Sequence, residues 1–262
     1  MIKGALFDFD GTLTTENSII FMMRWHIRRH FESETHFNPF YGFFSLNRLF
    51  FYGFRYMRHL RDLFSKRNYD KPIEDIIIEY GRYVSKYYPS ILRSFKGITK
   101  ESMSRISRLI PLRSGVIDLL TQLKKQKIKI GICSMSLEIA ALSSLNSIDL
   151  DYTACNNLIY RRGYSSEVTG DSMLNIRDAI DKKNIVFEFC KKFDLSPDEI
   201  AYIGDDFHDI LAANIAKRGL IILDLEKINK RNIHFYKKAI KKYDFEITES
   251  ISQIKRRILI EN

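Results

Sequence analysis

Three short apolar segments in this 262-residue chain each run straight into a cluster of polar residues, with helical patterns between them. Ile2 to Phe9 leads into Asp10 and Gly11 and carries Asp8. Lys127 to Cys133 ends at Ser134, Met135 and Ser136, and the run from Ile200 ends at Gly204, Asp205, Asp206 and Asp209. A brief apolar run bounded by turn residues is the pattern of a strand buried on both faces. Strands that alternate with helices build a parallel sheet, and ligands bind beyond the carboxyl ends of its strands. All three polar clusters fall at such ends.

The first cluster carries the most chemistry. Residues two apart on a strand project to the same side, so Asp8 and Asp10 share one small site. Like charges this close raise the pKa of one partner unless a cation neutralises them. The pair therefore calls for a proton-sharing acid and base or for a divalent metal. A solvated acidic turn is the competing reading of the dipeptide spacing alone, because short motifs match by chance often. Recurrence weighs against it. Acids, a hydroxyl at Ser134, a lysine at Lys182 or Lys183, and acids again at Asp205 and Asp209 follow in order at the ends of separate elements.

Taken together these residues resemble the haloacid dehalogenase superfamily. Its four motifs would be Asp8 to Thr12, Ser134, Lys182, and Gly204 to Asp209, and the likeness covers about residues 1–16 and 112–224. The resemblance implies an α/β fold: a doubly wound, Rossmann-like parallel sheet formed by 1–16 and 112–262. An all-helical cap, 17–111, is inserted after the first motif. It further implies a phosphatase in which Asp8 is the nucleophile, forming an aspartyl-phosphate, and Asp10 the general acid and base. Mg²⁺, a hard cation that prefers oxygen ligands, would be held by the Asp8 carboxylate, the Asp10 carbonyl and Asp205. Ser134 and the Met135 amide would bind phosphate oxygens, and Lys182 would offset their charge. Thr12 is expected in support, and Asp209 is expected to orient Lys182 or a metal-bound water. Ile185 and Val186 favour Lys182 over Lys183, and Ser136 is the lesser candidate beside Ser134. Asp206 is expected as a solvated loop acid and His208 as a surface residue.

Composition agrees with a compact enzyme. The chain is 45 % hydrophobic and 28 % charged, enough for one sizeable core and a smaller accessory unit. Cys133, Cys155 and Cys190 form no disulfide framework and read as buried thiols of a reducing compartment. The early first strand leaves no room for a signal peptide, and no apolar run approaches a membrane span, so the cytoplasm is the expected location.

The insertion is unusual in charge. Residues 17–111 carry 17 Lys plus Arg against 8 Asp plus Glu, nearly all of the chain's net +10. Four helices are expected there: Ser18 to His30, Gly42 to Phe64, Ile73 to Tyr88, and Lys100 to Leu109 with Thr99 as cap. Phe43, Phe50, Phe54, Met57 and Phe64 form one helical stripe, with Arg48, Arg55 and His59 toward another side. Core packing is the plainer account of that stripe. Contact with an anionic membrane surface is the sharper one, and nucleic acid ranks lowest because no fold motif for it is visible.

The cap placement and the stretch Val168 to Asp171 are similar to the phosphoserine phosphatase group. Where that group carries a Glu for the substrate amine this chain has Asn17, with Glu16 one residue off. Where it carries an Arg for the substrate carboxylate it has Ile91, with Arg93 out of register. The expected substrate is thus a small phosphomonoester other than free phosphoserine. A phosphotransferase with the same acid and base, or a lipid-phosphate phosphatase acting at a membrane surface, is one rival reading. A basic binding module that keeps an inactive phosphatase core is another. Oligomeric state is not legible.

Overall fold

In the computed structural model, the residues described are 1–32, 54–55, 57–161, 166–223 and 230–260. Seven strands form one sheet: β1 (Gly4–Phe7), β2 (Lys129–Leu137), β3 (Tyr152–Tyr160), β4 (Val168–Met173), β5 (Ile200–Gly204), β6 (Arg218–Ile222) and β7 (Glu246–Thr248). Their order is β4-β3-β2-β1-β5-β6-β7. Every pairing is parallel except β3 with β4, which is antiparallel. The sheet is therefore doubly wound, as expected, with one antiparallel edge strand that the reading of the sequence did not include. The chain leaves β1 toward β2 on one side and returns to β5 on the other, so the crevice beyond β1 lies at the point where strand order reverses.

Alternation along the strands explains the layers. Ala5, Phe7, Ile130, Ile132, Ala201 and Ile203 pack in one apolar cluster. Leu6, Cys133, Ile200 and Tyr202 pack in a second one on the opposite face. The first face is covered by α1 (Ser18–Glu32), α3 (Lys100–Ser107), α4 (Val116–Lys125), α5 (Glu138–Ser144) and α9 (Ile251–Leu259). The second is covered by α2 (Ile73–Leu92), α6 (Ala179–Phe193), the short α7 (Ile210–Ala213) and α8 (Lys230–Lys242). Both faces being buried is what makes the strands continuous apolar runs in sequence.

The segment between β1 and β2 is helical over α1, α2 and α3 and also at residues 57–63. Its two connections to the sheet run side by side. Thr15 N donates to Pro111 O at 3.0 Å, Arg113 N to Leu13 O at 2.8 Å, and Thr14 bridges Leu112. Thr99 caps α3, its hydroxyl accepting from Ser102 N at 3.1 Å, as its sequence position predicts. Of the expected helix Gly42 to Phe64, the stripe residues Phe43 and Phe50 and, on the other side, Arg48 lie outside the described residues. Of the remainder, Phe64 is buried against Tyr80, Phe207 and Phe235, whereas Phe54 and Met57 are exposed.

The chain ends with edge strand β7 and helix α9, and the three cysteines are free and buried, as expected. Strand β2 differs: it runs on through Ser134 to Leu137, with a register shift against β3 at the hydroxyls, where the sequence suggested that it stops. No helix among the described residues is long and apolar enough to cross a membrane.

Candidate active site

Beyond the ends of β1, β2 and β5 lies a cavity of about 430 Å³, and Asp8, Asp10, Ser134, Met135, Lys182 and Asp205 all line it. Thr12 and Asp209 stand one layer behind. Backbone pairing sets the first residue, because Asp8 N donates to Ile203 O at 2.8 Å and so extends the β1–β5 ladder by one rung. Gly11 then turns the chain at φ +77°, and a Cβ there would lie 2.0 Å from an Asp205 oxygen. Only glycine lets the two acidic strand ends approach this closely. Thr12 closes the contact, donating to Asp205 Oδ1 at 3.1 Å.

Lys182 is placed by its helix. Asp178 caps α6 by accepting from Ile180 N and Asp181 N at 2.9 and 3.1 Å. One turn on, the apolar face of Ile185, Val186 and Phe189 seats Lys182 against the sheet. Its ammonium, 2 % exposed, reaches Asp209 Oδ1 at 2.6 Å and Asp8 Oδ1 at 3.2 Å. Lys183 is exposed, and Lys182 is the one of the two that reaches these acids. Burial opposes the charged ammonium, but Asp209 and Asp8 outweigh it and hold the pKa above its ordinary value. Asp209 is fully buried and accepts also from Tyr202 OH at 2.6 Å and from the Asp205 and Asp206 amides at 3.2 Å each. Every described donor in reach is spent on orienting it, which suits the expected supporting role.

Asp10 is half-buried and faces α1. Ser18 N donates to Oδ1 at 2.9 Å, and the Ser18 hydroxyl and Asn17 Nδ2 donate to Oδ2 at 3.1 Å each. Burial nevertheless pushes its carboxyl up to about 7, against the lowering effect of Ser18. Burial likewise pushes Asp8 up to about 6, with Lys182 opposing, and holds Asp205 well above the carboxylate range with Asp8 and Asp209 adding to it.

Too many acids meet here for one lysine. Carboxylate oxygens of Asp8, Asp205 and Asp209 can lie within 4.8 Å of one another. Asp8 Oδ1, although close to Lys182, is buried without a hydrogen bond. An oxygen-rich, over-charged set with an orphaned oxygen fits a hard divalent cation. Since Asp209 is already saturated by donors, Asp8 and Asp205 are the carboxylates left to hold it.

Two expectations need correction. His208 is not a surface residue: it is 8 % exposed, its ring lies 4.4 Å from that of Tyr80, and burial lowers its pKa. The cause is α2, which covers it, and Gly81 admits the approach, since a Cβ there would come within 3.1 Å of the imidazole. Asp206 is not merely solvated either. It accepts from Tyr80 OH at 2.5 Å and caps the next turn through Phe207 N at 2.6 Å.

Several lining residues escaped the reading of the sequence. Tyr80, Val84 and Tyr88 recur every four positions on α2 and form the wall facing the acids. That spacing marks one face of a helix without saying what the face covers. Tyr88 OH donates to the Met135 carbonyl, which also accepts from Asn156 Nδ2 at 2.8 Å. Arg113 lines the cavity and clasps the Gly11 carbonyl at 2.9 and 2.7 Å, a contact that no local pattern announces.

Comparison with known proteins agrees with this arrangement. The sequence model of the haloacid dehalogenase-like hydrolases matches residues 2–217. A phosphoserine phosphatase of Archaeoglobus fulgidus is 30 % identical over 129 residues, which are 49 % of this chain and 37 % of that protein's length. Among solved structures, a substrate-bound phosphoserine phosphatase superposes with a TM-score of 0.62 at 16 % identity, covering 98 % of each chain. A haloacid dehalogenase family hydrolase of Salmonella enterica serovar Typhi superposes at 0.65 and 16 % identity, covering all of this chain and 72 % of that one. Cytosolic 5′-nucleotidase IIIB bound to cytidine superposes at 0.61 and 15 % identity, over 98 % and 83 %. At such identities the structures speak for the fold, while the family match spans both acidic strand ends and the lysine between them. The chain belongs to the haloacid dehalogenase-like hydrolase family, with a fold of the phosphoserine phosphatase type.

Proposed function

We propose that this protein is a phosphatase that hydrolyses a small phosphomonoester through an aspartyl-phosphate on Asp8. The observation that carries the reading is the buried ammonium of Lys182 between Asp8 and Asp209, at the mouth of a cavity that Asp10 and Asp205 share. In phosphoryl transfer the protein supplies position and charge stabilisation, and these residues supply both. Asp8 attacks phosphorus while Asp10 gives its proton to the departing alcohol oxygen. Asp10 then takes a proton from the water that releases phosphate. Ser134 and the Met135 amide bind the phosphate oxygens, and Lys182 balances their charge. Mg²⁺, when bound by Asp8, Asp205 and the Asp10 carbonyl, would neutralise the remaining acids and the phosphate.

The helices of residues 17–111 act as a cap that excludes water, a role supported by the α2 wall over the cavity and by the paired connections at Thr14 and Leu112. Free phosphoserine fits poorly. Asn17 spends its amide on Asp10, Glu16 is paired with Arg24, Ile91 packs against the apolar cluster, and Arg93 is exposed. A cytoplasmic setting accords with the free cysteines.

The test is phosphate release from 4-nitrophenyl phosphate with Mg²⁺, with EDTA, and with Asp8→Asn. Turnover that needs Mg²⁺ and vanishes in the variant is the expected result. Turnover that survives Asp8→Asn would end the aspartyl-phosphate reading. A phosphotransferase would show itself by a phosphorylated product when glycerol is added as acceptor.

A further inference from the structure

In the proposed reaction the Asp10 carboxyl is an acid in one half and a base in the other, so its aim has to be held by what surrounds it. The Ser18 N–H donates to Oδ1 and the Asn17 Nδ2 to Oδ2. The Ser18 hydroxyl can donate or accept. It is fully buried, 3.1 Å from Asp10 Oδ2, and its other neighbour is a second hydroxyl, Ser136 Oγ at 2.8 Å, itself 2 % exposed. Ser136 N in turn donates to Ser134 Oγ at 3.1 Å.

We propose that Ser18 and Ser136 are a positioning pair that holds the Asp10 carboxyl in place for proton transfer. The inference rests on the phosphatase reading above. Ser18 donates to Oδ2 and Ser136 is placed to donate to Ser18, so two buried hydroxyls fix the aim of the carboxyl. In the first half-reaction an Asp8 oxygen bonds to phosphorus and the bond from phosphorus to the alcohol oxygen breaks. That oxygen keeps the electron pair and takes the Asp10 proton. In the second half-reaction water oxygen bonds to phosphorus and its proton passes to Asp10. The bond between Asp8 and phosphorus breaks, leaving its electron pair on Asp8. Because Ser18 opens α1 of the insertion and Ser136 lies on β2 beside the phosphate-binding hydroxyl, the pair also joins the acid to two other parts of the site.

The experiment compares kcat/KM for 4-nitrophenyl phosphate and benzyl phosphate in the full-length protein with Mg²⁺. This ratio reads the steps through departure of the leaving group. Nitrophenolate leaves with little help from an acid, whereas the benzyl alcohol oxygen needs the proton. Ser18→Ala is expected to lower the benzyl value about 30-fold and the nitrophenyl value about 3-fold or less, below the roughly 10²- to 10⁴-fold that a general acid itself contributes, since Ser18 acts through Asp10. Ser18→Thr, which keeps the hydroxyl, should restore the benzyl value, and Ser136→Ala should fall between wild type and Ser18→Ala.

Equal losses on both substrates, or a loss that threonine does not restore, would mean that Ser18 is structural and overturn the proposal. A Ser136→Ala enzyme with wild-type benzyl turnover would overturn the pairing. Wild-type protein that turns over neither ester removes the phosphatase reading itself, which is distinct from a working enzyme whose substrate ratio ignores Ser18.

Discussion

The two walls of the cavity are built from different materials. On the inner wall, Asp8, Lys182, Asp209 and Tyr202 are buried at the ends of strands and on one helix, each charge held by a fixed partner. On the outer wall, Tyr80, Val84 and Tyr88 come from one face of α2 and touch the inner wall through single hydroxyls, Tyr80 to Asp206 and Tyr88 to the Met135 carbonyl. Removing a partner from a buried charge is costly, while losing one hydroxyl contact is not. The inner wall therefore has little freedom to vary, and the outer wall can change with substrate.

The sharpest way to break this contrast is Asp8→Asn. It should cost activity more than about a thousandfold while the fold stays at least as stable, because a neutral side chain replaces a carboxyl that burial already disfavours. Unfolding curves and phosphate release on the same preparations check both halves. Next is Lys182→Met, which strands Asp8 and Asp209 and should destabilise the protein by about 3–5 kcal/mol near neutral pH. The loss should shrink at pH 5, where the Asp8 carboxyl, pushed up to about 6 by burial, is mostly protonated and no longer needs the lysine. Equal losses at pH 5 and pH 8 in denaturant titrations would count against a charge network at the inner wall.

A third effect, on the order of a few kcal/mol, is linkage between pH and metal. Asp8 and Asp10 have folded pKa values of about 6 and about 7, raised from 3.8. Between those values the folded state binds more protons than the unfolded state, so metal-free protein should lose stability as pH rises from about 4 through about 7. Mg²⁺ bound to the deprotonated acids should stabilise more strongly as pH rises over the same window. Thermal unfolding with EDTA and with Mg²⁺ across that window measures both slopes.

The smallest expected effects lie on the outer wall. Tyr80→Phe and Tyr88→Phe should each cost about 1 kcal/mol of stability and alter KM more than kcat. A collapse of kcat in either would erase the distinction between the walls.

The inner wall was largely legible because its residues stand next to each other in short segments, Asp8 with Asp10 and Asp205 with Asp209, at places where an apolar run stops. Lys182 was separable from Lys183 by the apolar residues that follow it at helical spacing. The outer wall was not, because Tyr80 and Tyr88 look like ordinary packing residues of an amphipathic helix, and only the tertiary path of α2 brings them over the acids. His208 and Asp206 were misread for the same cause. An acid and an imidazole in a loop read as solvated until another element lies across them. The antiparallel β4 was invisible for a different one: it is short and carries polar residues at alternate positions on an edge, so it lacks the apolar run that marks the central strands.

Tyr202 sits in the middle of the second apolar cluster and its hydroxyl reaches outward to Asp209, whose carboxylate in turn receives the Asp205 and Asp206 amides. Assembly of the loop from Asp205 to Asp209 is thereby the same cooperative event as closure of the core. Those two amides should exchange with deuterium only by global unfolding, as slowly as the amides of β1 and β5, although they border a solvent-filled cavity. Any slow rearrangement at this cavity would then have to be sought outside the loop, with the α2 wall as its described counterpart.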